Sequence, residues 1–261
     1  MNNKKLNFIL VGCGRIAHRH AEQIQKHGSL IAACDIIPEK AASFANTFQC
    51  KSYTDFADLL STEKNIDVAV ICTPNGLHAQ HSIMALNNKL HVLCEKPMAI
   101  HVTDCRAMME AAEKNNRKLF VVKQNRYNPP VQAVKKLLDE NMLGKIFSVQ
   151  LNCFWNRDNN YYTDDWRGTK HLDGGILFTQ FSHFIDLLYW FFGDMKIISS
   201  VTSNYAHQNS VEFEDTGAVI FQTAQGAIGT IHFTINSYQK NMEGSITIFA
   251  ENGTVKIGGQ Y

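Results

Sequence analysis

The chain has 261 residues, 45% hydrophobic and 19% charged, long enough for two domains with separate cores. A formal net charge of +1 argues against nucleic-acid binding and against a basic membrane-binding surface. The polar start Met1–Lys5 carries no signal pattern, and seven cysteines without a C-x-x-C pair are expected to be reduced thiols of a cytoplasmic protein.

Leu6–Val11 reads as a strand buried on both faces. Gly12, Gly14 and Ala17 follow it as G-x-G-x-x-A, the strand-to-helix turn that binds a pyrophosphate. Gly12 allows the tight turn, Gly14 admits close backbone approach, and Ala17 packs helix on strand. The helix Arg15–His27 then aims its first amides, those of Arg15 and Ile16, at the phosphates. The next strand, Leu30–Cys34, ends in Asp35, roughly 20 residues past the turn, where a carboxylate accepts from a ribose diol and repels a 2′-phosphate. NAD is therefore expected rather than NADP; an Asp that only caps the next helix is the competing reading.

Helices Pro38–Phe48, Phe56–Leu60, Leu77–Asn87 and Val102–Asn115 alternate with strands near Lys51–Tyr53 and at Val68–Cys72, Leu90–Cys94 and Leu119–Val122. This rhythm predicts an α/β fold whose first half, residues 1–125, is a doubly wound parallel sheet of the Rossmann type. The rhythm breaks at Pro129-Pro130. A helix over Val131–Asn141 leads into residues 126–261, an α+β domain with an open, mainly antiparallel sheet. Its strands are Ile146–Trp155, Ile197–Ser203, Thr216–Gln222, Ala227–Ile235, Ser245–Phe249 and Thr254–Ile257, with hairpin turns at Ala224-Gln225-Gly226 and Glu251-Asn252-Gly253. One long helix, Leu177–Phe192, lies in the densest apolar stretch; its polar seam makes it a buried helix rather than a membrane span. The chain stops at Tyr261 just after a strand, so a C-terminal truncation is expected.

The chemistry-bearing residues cluster at strand ends, where open α/β sheets bind ligands. Glu95-Lys96-Pro97 follows one such strand, with Pro97 a candidate cis proline. Lys96 is either a base or proton shuttle or an ordinary loop lysine. Thr73-Pro74-Asn75 ends the preceding strand in the same way, and His78 opens the next helix nearby. Gln124-Asn125-Arg126-Tyr127 follows the last strand of the first half. In the long helix, Thr179, His183 and Asp186 are spaced to share one face. His183 reads as a general acid/base or as a satisfied structural histidine. No third ligand completes a His183–Asp186 metal pair, and His18, His20, His78 and His81 do not read as ligands, so no metal is expected. Trp166-Arg167 precedes a glycine-rich loop, where the Arg suits a phosphate or carboxylate. Tyr161 and Tyr162 are candidates to stack on a base or are exposed loop aromatics.

Taken together, the G-x-G-x-x-A turn, Glu95-Lys96-Pro97 and Gly174-Gly175 with His183-x-x-Asp186 resemble the Gfo/Idh/MocA oxidoreductases across essentially the whole chain. The resemblance implies oxidation or reduction of a sugar or polyol carbon with NAD, and Lys96 and His183 as the catalytic pair. Many members carry Asp four residues before that His; here Thr179 and then Gln180 stand. This departure, with Val121–Arg126, Phe154-Trp155-Asn156-Arg157 and Trp166-Arg167-Gly168, resembles the family's nucleotide-sugar branch, the UDP-N-acetylglucosaminuronate 3-dehydrogenases. It implies oxidation of the C3 hydroxyl of a UDP-N-acetyl sugar, with UDP-N-acetylglucosamine, inositol or a free sugar as alternatives and a non-catalytic NAD-binding sensor as the least favoured. The expected cofactor set is Gly12, Gly14, Arg15, Ile16, Asp35, Thr73, Pro74, Asn75, His78, Glu95, Lys96, Gln124, Trp166 and Arg167. The expected substrate set is Lys96, Asn125, Arg126, Tyr161, Thr179, Gln180 and His183. A homodimer or homotetramer and a downstream aminotransferase are the expected partners.

Overall fold

The computed structural model describes residues 5–164 and 166–258, and the chain divides between Val122 and Lys123 into two compact units. The first comprises β1 (Leu6–Val11), α1 (Arg15–His27), β2 (Gly28–Cys34), α2 (Pro38–Phe48), β3 (Lys51–Tyr53), α3 (Phe56–Thr62), β4 (Val68–Ile71), α4 (His78–Asn87), β5 (His91–Cys94), α5 (Val102–Lys114) and β6 (Leu119–Val121). Its six strands are parallel in the order β3-β2-β1-β4-β5-β6. Leu10, Ala17, Ile24 and Phe44 fill one side of the sheet; Ile9, Val11, Leu59 and Met108 fill the other. Two covered faces are why β1 and β4 are apolar at nearly every position. The strand order reverses between β1 and β4, where a doubly wound sheet binds its ligand. α4 starts at His78 rather than Leu77, because the Leu77 amide bonds the Pro74 carbonyl at 2.9 Å and Asn75–Leu77 coils as a 3-10 turn.

The second unit comprises α6 (Pro129–Asp139), β7 (Ile146–Phe154), α7 (Ile176–Thr179), α8 (Ser182–Phe192), β8 (Met195–Ser203), β9 (Thr216–Thr223), β10 (Ile228–Thr234), β11 (Glu243–Ala250) and β12 (Gly253–Gly258). α6 begins on the two prolines themselves, which a helix's first turn accepts. The sheet runs β12-β11-β7-β10-β9-β8, antiparallel except for the β7–β10 pair. Val149, Leu151, Phe221, Phe233, Ile246 and Ile248 on its inner face pack with Phe181, Phe184, Leu187 and Leu188. Within it Gly229 faces Phe221 and Gly217 faces Phe233 across the β9–β10 pair. A Cβ would lie 2.0 Å from the Phe221 ring at Gly229 and 2.5 Å from the Phe233 ring at Gly217, so each ring lies over bare backbone.

The single helix expected over Leu177–Phe192 is broken into α7 and α8. The Thr179 hydroxyl donates back to the Gly175 carbonyl at 3.0 Å. The Gln180 and Phe181 amides both reach the Ile176 carbonyl, at 3.0 and 2.9 Å. These closing bonds end the first segment, and α8 restarts at Ser182 after a fully buried Phe181. The face that Thr179 was expected to share with His183 therefore does not continue through one helix, whereas His183 and Asp186 remain neighbours on α8. All seven cysteines are free, and among the described residues no helix is long and apolar enough to cross a membrane.

Candidate active site

In the first unit the chain leaves β1 at Gly12, with φ +92°. The Gly12 amide donates to the Cys34 carbonyl at 2.8 Å, and a Cβ there would lie 2.7 Å from the Cys72 carbonyl carbon. Glycine is required on both counts. Gly14 differs: a Cβ there would meet nothing within 4 Å. α1 opens at Gly14 with no side-chain cap and no acidic residue in its first turn, leaving the Arg15 and Ile16 amides at the positive end of the helix. Bare backbone beside an uncapped helix start fits a dinucleotide's pyrophosphate.

Asp35 accepts from the Cys13 amide at 2.8 Å through Oδ2 and from the Ile37 amide at 2.9 Å through Oδ1. It ties the glycine turn to the approach to α2, and each oxygen retains acceptor capacity for a ribose diol. Ile36 beside it, absent from the expected set, is 85% exposed. Burial, reinforced by Asp35, pushes the Cys13 and Cys34 thiols to about 12, so both stay neutral beside the turn.

Two strand-end loops lie next to each other. After β4 come Thr73, Pro74 and the buried Asn75; after β5 come Glu95, Lys96 and Pro97, with a cis Lys96–Pro97 peptide. The Thr73 hydroxyl lies 3.1 Å from His81 Nδ1. His78 is fully buried, its ring nitrogens 2.6 Å from the Pro97 carbonyl and 2.9 Å from the Thr73 carbonyl. It joins the two loops from beneath, and burial pushes its pKa down. Glu95 Oε1 lies 2.7 Å from His20 Nε2, and Oε2 accepts from the Lys96 amide at 3.1 Å. Burial raises the Glu95 carboxyl, but the hydrogen bond and charge of His20, with the amide and charge of Lys96, outweigh it and leave the pKa lowered. A carboxylate thus directly precedes Lys96.

In the second unit, Gln124–Tyr127 forms a 3-10 turn against α8. The Arg126 fork grips Asp186 through Nε and Nη2, both at 2.7 Å, and Lys123 Nζ lies 3.3 Å from the same carboxylate. Asp186 therefore takes the Nε–Nη2 edge of the Arg126 guanidinium, and Asn125 is half-buried in the same turn. Gln124 Nε2 stands 3.4 Å from His183 Nε2. The Thr179 hydroxyl lies against both the Gly175 carbonyl and Oε1 of the adjacent Gln180.

The segment after β7 builds an aromatic–cation stack. The Arg157 guanidinium lies 4.9 Å from the Trp155 ring centroid and 5.1 Å from that of Tyr161; Arg167 lies 4.8 Å from Tyr161 and 5.1 Å from Trp166. Arg167 also pairs with Asp164. Tyr161, Trp166 and Arg167 were expected at the site; Arg157 was not assigned a role.

Behind this stack sits a buried acid–imidazole pair. Asp215 is inaccessible and accepts from the Tyr205 and Ala206 amides at 3.1 and 2.8 Å, with His207 Nδ1 at 3.2 Å. His207 Nε2 donates to the Arg157 carbonyl at 2.7 Å. The far partner of the imidazole is a backbone carbonyl, not a nucleophile, so the pair holds the chain at Arg157. Burial pushes the Asp215 carboxyl up, but hydrogen bonds from Asn236, the Ala206 and Tyr205 amides and His207 bring it from 3.8 to about 2. A depressed folded-state pKa contributes stability above the unfolded value that is lost as pH falls toward the folded one. Asp215→Asn is expected to lower stability by about 2 kcal/mol at neutral pH. In urea unfolding at a series of pH values, this difference should shrink between pH 3.8 and about 2; a constant difference would contradict the assignment.

Residues 6–123 match the family model for the GFO/IDH/MocA oxidoreductase family, NAD-binding Rossmann fold, and residues 131–256 match the GFO/IDH/MocA C-terminal domain. The WlbA dehydrogenase from Chromobacterium violaceum, solved with NADH and UDP-GlcNAcA, is 39% identical; the match covers 99% of this chain and 75% of that one, with a TM-score of 0.94. WlbA from Bordetella pertussis, solved with the same two ligands, is 37% identical with the same coverage and TM-score. The glucose-6-phosphate 3-dehydrogenase of Bacillus subtilis is 31% identical over 204 residues, 76% of this chain and 56% of that protein. With its glycine turn, acidic β2 end and Glu95-Lys96-Pro97 loop, the chain belongs to the Gfo/Idh/MocA oxidoreductase family, as an NAD-dependent sugar dehydrogenase.

Proposed function

We propose that this dehydrogenase oxidises the C3 hydroxyl of a UDP-linked N-acetyl sugar, UDP-N-acetylglucosaminuronate (UDP-GlcNAcA) first, to a 3-keto sugar for surface-polysaccharide or lipopolysaccharide synthesis. The supporting observation is the 39% and 37% identity, over 99% of the chain, to two proteins solved with UDP-GlcNAcA. NAD, when bound, accepts the hydride from C3. The residues proposed to hold it are Gly12, Gly14, Arg15 and Ile16 at the pyrophosphate and Asp35 at a ribose, with Ile36 offering the adenine an apolar surface. Thr73, Pro74, Asn75 and Glu95 are assigned to its nicotinamide half.

Lys96 and His183 are proposed as the catalytic residues. An ammonium next to the Glu95 carboxylate suits stabilisation of the developing alkoxide oxygen. The imidazole of His183 suits acceptance of the hydroxyl proton. The 3-keto product carries a carbonyl of the kind an aminotransferase consumes. Val201, Ile220, Ile228 and Phe249, 73%, 47%, 58% and 42% exposed, share the outer face of the second sheet and support assembly into a homodimer or homotetramer.

The test is NADH formation from UDP-GlcNAcA, UDP-N-acetylglucosamine, myo-inositol and glucose 6-phosphate. The expected kcat/KM is about tenfold or more in favour of UDP-GlcNAcA. A higher value for inositol or the sugar phosphate would overturn the proposal.

A further inference from the structure

The second unit contains three arginines, at 126, 157 and 167. Arg126 is neutralised by Asp186 and Arg167 by Asp164. Arg157 has only neutral partners: its Nη1 donates to the Asn156 carbonyl at 2.6 Å and to Asn241 Oδ1 at 3.2 Å, its Nε is buried without an acceptor, and its central carbon lies over the Trp155 and Tyr161 rings. Among the described residues no carboxylate lies within ion-pair distance of it. A half-buried guanidinium has lost part of its hydration, and aromatic faces return only some of that free energy. The complement it lacks is an oxyanion.

The surroundings hold this guanidinium in place. The Arg157 amide donates to the Ile235 carbonyl at 2.9 Å, and its carbonyl accepts from His207, itself held by the inaccessible Asp215. Nη1 is anchored to the protein, and two aromatic rings crowd the guanidinium. A receptor fixed at backbone and head group loses little entropy on binding. The buried His207–Asp215 pair, idle in the proposed hydride chemistry, thereby acquires a task.

We propose that Arg157 is the oxyanion receptor of the substrate subsite, pairing with an anionic group of the nucleotide sugar: the diphosphate or the sugar carboxylate. The inference rests on the nucleotide-sugar reading above. Arg157→Met is expected to raise KM for UDP-GlcNAcA by about 30-fold or more, as for truncation of one partner of a desolvated charge pair. Its kcat and NADH affinity should stay within about threefold of wild type, and Arg157→Lys should recover part of the loss.

UDP used as an inhibitor and UDP-N-acetylglucosamine used as a second substrate separate the two sources. If the diphosphate is the partner, UDP inhibition weakens by the same factor and both sugars suffer alike. If the carboxylate is the partner, UDP inhibition is unchanged and only the acidic sugar suffers. Intact NADH binding and an unchanged melting temperature show that the variants fold. A KM for Arg157→Met within threefold of wild type, in an enzyme that uses UDP-sugars, sinks this inference alone. A wild type indifferent to UDP and to both UDP-sugars sinks the nucleotide-sugar reading and this inference with it.

Discussion

Lys96→Met is expected to lower kcat by about a thousandfold or more while NADH affinity stays within about threefold of wild type. Methionine matches the length of the lysine stem but carries no charge. The backbone contacts of the loop do not depend on the ammonium: the residue 96 amide still reaches Glu95 Oε2, and His20 still pairs with Oε1. His78 still joins the loop to the Thr73 carbonyl from beneath. The fold and the dinucleotide turn should therefore survive. In the mechanism proposed above, what is removed is a positive charge at the oxygen that becomes an alkoxide; a thousandfold loss corresponds to about 4 kcal/mol of transition-state stabilisation. NADH fluorescence titration beside steady-state kinetics checks both halves of the expectation, and turnover within tenfold of wild type would remove Lys96 from the mechanism.

Gly12→Ala and Gly14→Ala should fail in different ways. At Gly12 a side chain meets φ +92° and the carbonyl carbon and oxygen of Cys72, each 2.7 Å away. These are backbone atoms at the end of β4, which cannot rotate aside. Strain and overlap together are expected to cost about 3 kcal/mol or more, lowering the melting temperature by about 10 °C and abolishing NADH binding. At Gly14 the backbone is extended and a methyl would meet nothing within 4 Å. The melting temperature should fall by no more than about 3 °C. If the pyrophosphate approaches as proposed, the methyl stands in its way, and NADH affinity should drop by about 30-fold or more. Calorimetry and NADH titration of the two variants separate loss of fold from loss of binding. Unchanged affinity in Gly14→Ala would place the dinucleotide elsewhere.

Local signals carried much of the first unit. β1, α1, α2 and β3 have the boundaries expected from the sequence, since a glycine turn, a proline at a helix start and a β–α rhythm each act within a few residues. Gly12, Asp35 and Glu95 each directly follow a strand, with Lys96 one residue later, so their places at strand ends were legible for the same reason. The break between α7 and α8 was not, because hydropathy runs unbroken through it and hydrogen bonds from Thr179 and Phe181 decide it. Nor was the parallel pairing of β7 with β10: alternation marks a strand but not its neighbour. Arg157 escaped assignment because the residues that hold it, His207, Ile235 and Asn241, lie far along the chain and share no spacing with it.

The two glycine–phenylalanine couples between β9 and β10 reach beyond the core they fill. A slip of one pleat would set Phe221 against Ile231 and Phe233 against Val219 rather than against Gly229 and Gly217, and neither ring would have a hollow to lie in. β10 can therefore dock at only one offset, and that offset decides where Ile235 emerges to meet the Arg157 amide. Two glycines deep in the sheet thus act as a ruler for an arginine at its end, and enlarging either one should mislocate the guanidinium without touching it.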